Sequence, residues 1–296
     1  MTRKRKFEIA PTLVIGATGR TGRGVVAELI RAGRPVRALV RDPALSKLPG
    51  DVELATGDLT NPESVARAAE GAQSAFLVWT ATFATASAVV AALALHVEGI
   101  VLLSSPHQTP HPFFQQPNAL AVFHAQLDRM VMDSGREWTI VRPGMFAANS
   151  IMWWAPAIQA GDEVRWPYGA VATAPIDERD IAAVAARALM DAAHAGRDYV
   201  ITGPASLTQA EQVHAIGDAI GRRLVFHELT PDEFRSENPR FPLPAANMLL
   251  AAWGAAAGLP AYVTSTVAEV TGTPARSFAE WAAANASAFE TSRNVS

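Results

Sequence analysis

Three glycines spaced three residues apart, Gly16, Gly19 and Gly22, lie near the start of the chain in the run Gly16-Ala17-Thr18-Gly19-Arg20-Thr21-Gly22. Residues without a Cβ at this spacing let the chain turn tightly, bring its backbone against a bulky anion and pack the next helix on the preceding strand. A helix that starts inside such a turn offers free N–H groups and a partial positive charge. The anion that suits this arrangement is a dinucleotide pyrophosphate, with Thr18, Arg20 and Thr21 beside it. At the end of the following strand, a carboxylate would accept hydrogen bonds from a ribose 2′-hydroxyl, whereas an arginine would pair with a 2′-phosphate. That place holds Arg41 followed by Asp42. Arg41, with Arg20 as a second cation, favours NADP over NAD; Asp42 turned inward is the alternative.

The candidates for proton transfer are histidines. His124 and Asp128 are one helical turn apart, where the carboxylate can orient the imidazole; a surface histidine beside a solvated aspartate remains the other reading. His107 and His111 fall in the proline-rich stretch Ser104–Pro117. Either can donate a proton to a substrate carbonyl there, or serve as an ordinary loop residue. A zinc site built on this pair needs a third protein ligand, which the sequence does not supply, so no metal is expected. The chain has no cysteine, which excludes disulfides and thiolate chemistry.

Alternating strands and helices must position these groups. Thr12–Ile15 reads as a strand, Arg23–Arg31 as a helix closed by Gly33, and Val36–Val40 as the next strand, completing a βαβ unit. Val52–Thr56 follows as a third strand. Asn61-Pro62-Glu63 supplies an N-cap, a first-turn proline and an acidic first turn for a helix reaching Ala69. Strands at Ala75–Trp79, Ile100–Ser104 and Trp138–Val141 then alternate with helices at Thr85–Leu95 and Leu120–Met132. This is the pattern of an α/β Rossmann-type doubly wound parallel sheet, whose ligands bind outside the carboxyl ends of the strands. Two loops at those ends stand out, Trp79–Thr82 and Ser104–Pro117. The expected organisation is a dinucleotide-binding unit over 1–142 and a smaller substrate-side region over 143–296 packed closely on it. A helix at Asp177–Met190 and a final amphipathic helix at Ala275–Phe289 belong to the second.

The clustered residues Phe113, Phe114, Met145, Phe146, Met152, Trp153, Trp154 and Trp166 read first as core. Any that line a pocket would select a flat, apolar substrate. The 296 residues are 49% hydrophobic and 18% charged, with a formal net charge of -3, which leaves no field to gather nucleic acid. The basic run Thr2–Lys6 reads as a solvated leader. The alanine-rich runs Ala84–Leu95 and Ala245–Leu259 read as packed helices, not membrane spans, so a cytoplasmic location is expected.

Several segments together resemble the NmrA-like branch of the atypical short-chain dehydrogenase/reductases. These are the turn Gly16–Gly22, Val36–Pro43, Gly57-Asp58-Leu59, Ser134-Gly135, Trp138–Gly144, Pro175–Ala182 and Tyr199–Pro204. The resemblance implies that Asp58 and Leu59 lie against the adenine, that Trp79 and Thr80 border the cofactor, and that residues after Arg142 build the substrate side. It also implies a strand-end serine, here Ser104 or Ser105, that hydrogen-bonds a substrate oxygen. The family's usual donor is a tyrosine with a lysine four residues later. This chain departs from that pattern, since its lysines are Lys4, Lys6 and Lys47 and its tyrosines Tyr168, Tyr199 and Tyr262. Aligned back from Arg142-Pro143, Leu120 takes the tyrosine's place, His124 the lysine's, and Asp128 that of a common acidic residue. The expectation is an NADP-dependent oxidoreductase for an apolar quinone, enone or aromatic carbonyl. An NADP- or NAD-binding redox sensor and a non-redox cyclase or isomerase are left open, as are a homo-oligomer and a regulatory protein partner.

Overall fold

Aliphatic and β-branched runs form the strands of the computed structural model, which describes residues 10–239 and 241–290. The basic run Thr2–Lys6 lies outside the described residues. In chain order the strands are β1 (Thr12–Ile15), β2 (Val36–Val40), β3 (Glu53–Thr56), β4 (Ser74–Val78), β5 (Gly99–Leu103), β6 (Glu137–Pro143), β7 (Glu163–Pro167), β8 (Ala172–Thr173), β9 (Arg197–Ile201), β10 (Leu207–Thr208) and β11 (Val225–Leu229). The first helices are α1 (Arg20–Arg31), α2 (Pro62–Ala69), α3 (Ala86–His96) and α4 (Ala119–Met132). They are followed by α5 (Asn149–Ala160), α6 (Glu178–Met190), α7 (Gln209–Ala219), α8 (Pro231–Glu237), α9 (Leu243–Ala255), α10 (Thr266–Thr271) and α11 (Phe278–Ala284).

Seven strands make one sheet in the order β3-β2-β1-β4-β5-β6-β9, parallel from β1 through β6. The expected Rossmann-type α/β fold is therefore present, and its order reverses beside β1, so the carboxyl ends of β1 and β4 flank the switch point. β1 is buried along its whole length, as a central strand covered on both faces must be. Asn61 caps α2 as its sequence demands, its side chain accepting from the Ser64 N–H at 3.2 Å. Gly33 follows α1 at a positive φ of 69°, the left-handed conformation that ends a helix at little steric cost to glycine.

The chain divides into two compact units. The first contains the chain up to Ser105, Leu120–Arg142 and Ile181–Tyr199; the second contains Pro106–Ala119, Pro143–Asp180 and the chain from Val200 onward. A single boundary after Arg142 does not describe this division. The loop 106–119 belongs to the second unit, and 181–199 returns to the first, where β9 joins the sheet beside β6. Gly196 N–H donates to the Trp138 carbonyl at 2.7 Å and Thr139 Oγ1 to the His194 carbonyl at 2.8 Å, which fastens the returning segment.

The second unit packs around indoles. Trp154, Trp166 and Trp253 are buried with Trp153 and Phe234, and Trp153 stacks on Trp166 at 5.9 Å between centroids. The aromatic run Trp153, Trp154 and Trp166 is thus core, while Met152 stands exposed. The expected helix Ala275–Phe289 is shorter, because Ser277 and Glu280 form a capping box that starts α11 at Phe278. Among the described residues no helix is long and apolar enough to cross a membrane.

Candidate functional site

The glycine turn lies where β1 meets α1. Gly16 takes a φ of 82°, and a Cβ added there would stand 3.0 Å from Val78 Cβ on β4. At Gly22 the crowding is absolute, since a Cβ would sit 2.1 Å from the Gly16 carbonyl oxygen. Gly19 is the N-cap of α1, no side chain caps that helix, and Thr18, Gly19 and Arg20 are exposed while Thr21 is buried. The turn therefore presents uncapped N–H groups on open backbone, the cradle that a pyrophosphate needs.

One residue of this cradle escapes a reading of spacing alone. Arg23 donates to the carbonyls of Thr18 at 3.0 Å, Lys47 at 3.0 Å and Ser46 at 2.8 Å, and so ties the turn to the loop after β2. In sequence it is one more arginine early in a helix.

Arg41 follows β2 with its side chain 86% exposed, its Nε approaching Asp58 Oδ2 at 4.0 Å. Asp42 does not turn toward a ribose, because its carboxylate accepts from the Ala44 N–H at 2.9 Å and caps a 3₁₀ turn. Asp58 takes two hydrogen bonds from Thr60, hydroxyl and N–H, which with the Arg41 charge hold its carboxyl below the usual range. Leu59 is buried, Trp79 is buried with its indole N–H donating to the Ala81 carbonyl at 2.7 Å, and Thr80 is exposed.

At the carboxyl ends of β5 and β6 the first unit holds a buried polar array. Ser104 continues β5, its N–H bonded to the Val141 carbonyl at 2.8 Å, and Arg142 lies near the end of β6. Arg142 is 1% exposed, with Nη1 2.6 Å from Asp128 Oδ2 and Nε 2.6 Å from Asp198 Oδ1. Its Nη1 also donates to the Ser105 carbonyl at 3.0 Å. Burial disfavours the cation, yet the hydrogen bonds and charges of Asp198 and Asp128 outweigh it and leave the guanidinium pKa above its ordinary value. Ser104 Oγ donates to Asp128 Oδ1 at 2.6 Å and lies 3.5 Å from His124 Nδ1. Helix α4 makes this meeting possible. Its buried face carries Leu127, Asp128 and Val131, and His124, one turn earlier, is half-buried on the same side. The structure thus brings together Ser104, His124 and Asp128, and adds Arg142 and Asp198.

His107 and His111 belong to the second unit, both half-buried. The Phe113 N–H points at His111 Nδ1 at 3.3 Å, so that nitrogen accepts and the proton sits on Nε2, which donates to the Pro260 carbonyl at 3.0 Å. Leu120, in the place of the family's tyrosine, is 50% exposed. Among the described residues no three His, Asp or Glu side chains converge on a point that could hold a metal ion.

A parallel sheet with a glycine turn at its switch point and an uncapped helix N-terminus is a dinucleotide-binding Rossmann protein. The chain matches the NAD(P)H-binding family over residues 16–192 and belongs to it. It is 36% identical over 285 residues to the (4-alkanoyl-5-oxo-2,5-dihydrofuran-3-yl)methyl phosphate reductase of Streptomyces griseus, covering 94% of this chain and 98% of that protein. It is 35% identical over 288 residues to the NAD(P)H azoreductase of Xenophilus azovorans, with the same coverage. In fold it is similar to the NADPH-dependent quinone oxidoreductase of Escherichia coli complexed with NADPH, with a TM-score of 0.76, 22% identity, and coverage of 92% of this chain and 99% of that one. The protein is an NAD(P)H-dependent oxidoreductase.

Proposed function

We propose that the protein uses NADPH to reduce a flat, apolar compound with a conjugated acceptor, a quinone, enone or aromatic carbonyl, and that His124 supplies the proton. The observation that carries the substrate class is a pocket in the second unit lined by Phe113, Phe114, Met145 and Tyr262, where the two phenylalanine rings meet edge to face at 4.9 Å. The pocket is narrow, with space for about 10 Å³ of solvent, and Thr173 and Thr202 add polar groups to its apolar wall. A narrow, aromatic-walled pocket favours a thin apolar molecule over a bulky one. The relatives support the class, one being named for an oxo-dihydrofuran bearing an alkanoyl group and another for azo compounds.

NADPH, when bound, supplies a hydride. The chain's own residues hold it through the glycine turn and Arg41, and orient the acceptor in an apolar setting. A carbonyl or quinone that takes up a hydride carries a negative oxygen and needs one proton to balance. His124 as imidazolium delivers that proton and becomes neutral, and solvent restores it. Among the three candidate histidines, His111 has both ring nitrogens engaged by backbone, whereas His124 lies on the carboxyl edge of the nucleotide-binding sheet against Ser104 and Asp128.

The test is NADPH oxidation with menadione, an azo dye and an unconjugated aliphatic ketone. Turnover is expected with the first two and not with the ketone. His124→Gln is expected to lower kcat by roughly 10²–10⁴-fold while the KM for NADPH stays unchanged. Absence of turnover with every conjugated acceptor overturns the proposed substrate class.

A further inference from the structure

We infer that Arg23 is a positioning residue for dinucleotide selection: it clamps the loop after β2 onto the glycine turn, and so holds Arg41 in place for a 2′-phosphate while the turn holds the pyrophosphate. The inference deepens the reading of Arg41 as the 2′-phosphate ligand and rests on it. One half-buried guanidinium reaches three carbonyls, all in the first unit. Its Nε donates to Thr18 inside the turn at 3.0 Å, while Nη1 and Nη2 donate to Lys47 and Ser46 at 3.0 and 2.8 Å. The N–H bonds of a guanidinium lie in one plane, so these contacts set the spacing of turn and loop as well as joining them.

The loop is bent to meet that plane. Ser46 and Lys47 supply consecutive carbonyls, which in an extended chain point to opposite sides. Here both face one side chain because Lys47 takes a φ of 49°, the left-handed region that a residue with a Cβ rarely enters. Such a conformation persists only where its surroundings over-determine it, and Arg23 supplies two of the contacts that do so. Between Lys47 and Arg41 the chain is a closed 3₁₀ turn. The Asp42 carboxylate accepts from the Ala44 N–H at 2.9 Å, and the Leu45 and Ser46 N–H groups donate to the carbonyls of Asp42 and Pro43 at 3.2 and 3.3 Å. Strand β2 fixes the end of this segment that carries Arg41, and Arg23 fixes the other.

The experiment uses the full chain as wild type, Arg23→Lys, Arg23→Gln and Arg41→Ala, with each Arg23 substitution also combined with Arg41→Ala. Calorimetry gives Kd for NADPH and NADH, and hydrogen exchange without dinucleotide reads the Ala44, Leu45 and Ser46 amides. Arg23→Lys keeps the charge and loses the planar fork. Both Arg23 substitutions are therefore expected to lower the preference for NADPH over NADH roughly tenfold. They are expected to speed exchange at the three amides, and to alter the preference no further once Arg41 is alanine. A merely structural role weakens both dinucleotides alike and leaves the preference where it was. An Arg23→Lys variant with wild-type preference shows that charge acts and not the fork, which overturns the clamp. Unchanged exchange at the three amides overturns it as well. If Arg41→Ala keeps the wild-type preference, the reading of Arg41 falls and selection falls with it, while the exchange rates still decide whether Arg23 holds the loop.

Discussion

Single residues here differ mainly in what they are left free to do. Arg41 and Arg142 are both arginines at the carboxyl edge of the sheet, one exposed and loosely held, the other buried between two carboxylates. The first has its donors free for a phosphate; the second has its own committed to Asp128, Asp198 and the Ser105 carbonyl. Asp42, the alternative partner for a ribose, is occupied as a cap. Arg41→Ala is therefore expected to weaken NADPH binding by about 1.5–3 kcal/mol, the worth of hydrogen bonds to a charged group, and to leave NADH binding unchanged. Calorimetry with both dinucleotides checks it, and equal affinities in the unmodified protein would sink the assignment of Arg41 to the 2′-phosphate.

Among the elements, the N-terminus of α6 links several parts of the second unit. Glu178 accepts from the Ala148 N–H at 2.8 Å and the Trp281 indole N–H at 3.1 Å, and Asp180 accepts from the Arg276 N–H at 2.7 Å and pairs with its guanidinium. Burial pushes the Glu178 and Asp180 carboxyls above the ordinary range. A carboxyl whose folded pKa is raised favours the folded state in its protonated form, so its contribution is greatest below its ordinary value. That contribution is lost as pH rises from the ordinary to the raised value. Glu178→Gln lacks this titration, and its amide turns an N–H₂ group toward one of two donors, at a cost of about 1–3 kcal/mol. The stability advantage of wild type over Glu178→Gln is expected to be largest at the acid end and to shrink as pH rises through that window. Urea unfolding of both proteins across it makes the comparison, and an advantage that grows with pH would contradict the sign.

On the scale of the whole molecule, the glycine turn, Arg41 and Asp58, the proposed dinucleotide cradle, all belong to the first unit. A ligand that binds only the folded form adds stability by mass action, about 2.7 kcal/mol at one hundred times its Kd. For a chain of this size that corresponds to a rise in melting temperature of roughly 5 °C. Scanning calorimetry with NADPH is expected to show such a shift, with a smaller one for NADH at the same concentration. No shift with saturating NADPH would mean that the glycine turn does not hold it. A net charge of -3 spreads no field capable of collecting polyanions in general, so the proposed attraction for a phosphate is a local one, at Arg41, Arg20 and the helix terminus.

How much of this was legible in the linear chain follows from the range of the forces involved. The glycine spacing, the Asn61 cap, the Gly33 terminator and the period of the apolar runs act within a few residues, so β1, β2, α2 and the Rossmann class could be read without any contact map. The same is true of Arg41, because strand and turn place it by counting, and of the missing tyrosine and lysine, because absence needs no geometry. Arg23 reaching the carbonyls of residues 46 and 47, Asp42 bending back into its own turn, β9 returning to the sheet and Glu178 receiving a tryptophan 103 positions away depend on chain segments far apart in sequence. So does the array of Ser104, His124, Asp128, Arg142 and Asp198. A helical spacing of four brings His124 and Asp128 onto one face. Only the parallel pairing of β5 with β6 brings Ser104 and Arg142 to that face, because hydrogen bonds between strands, unlike the turn of a helix, leave no periodic trace of which distant residue lies alongside.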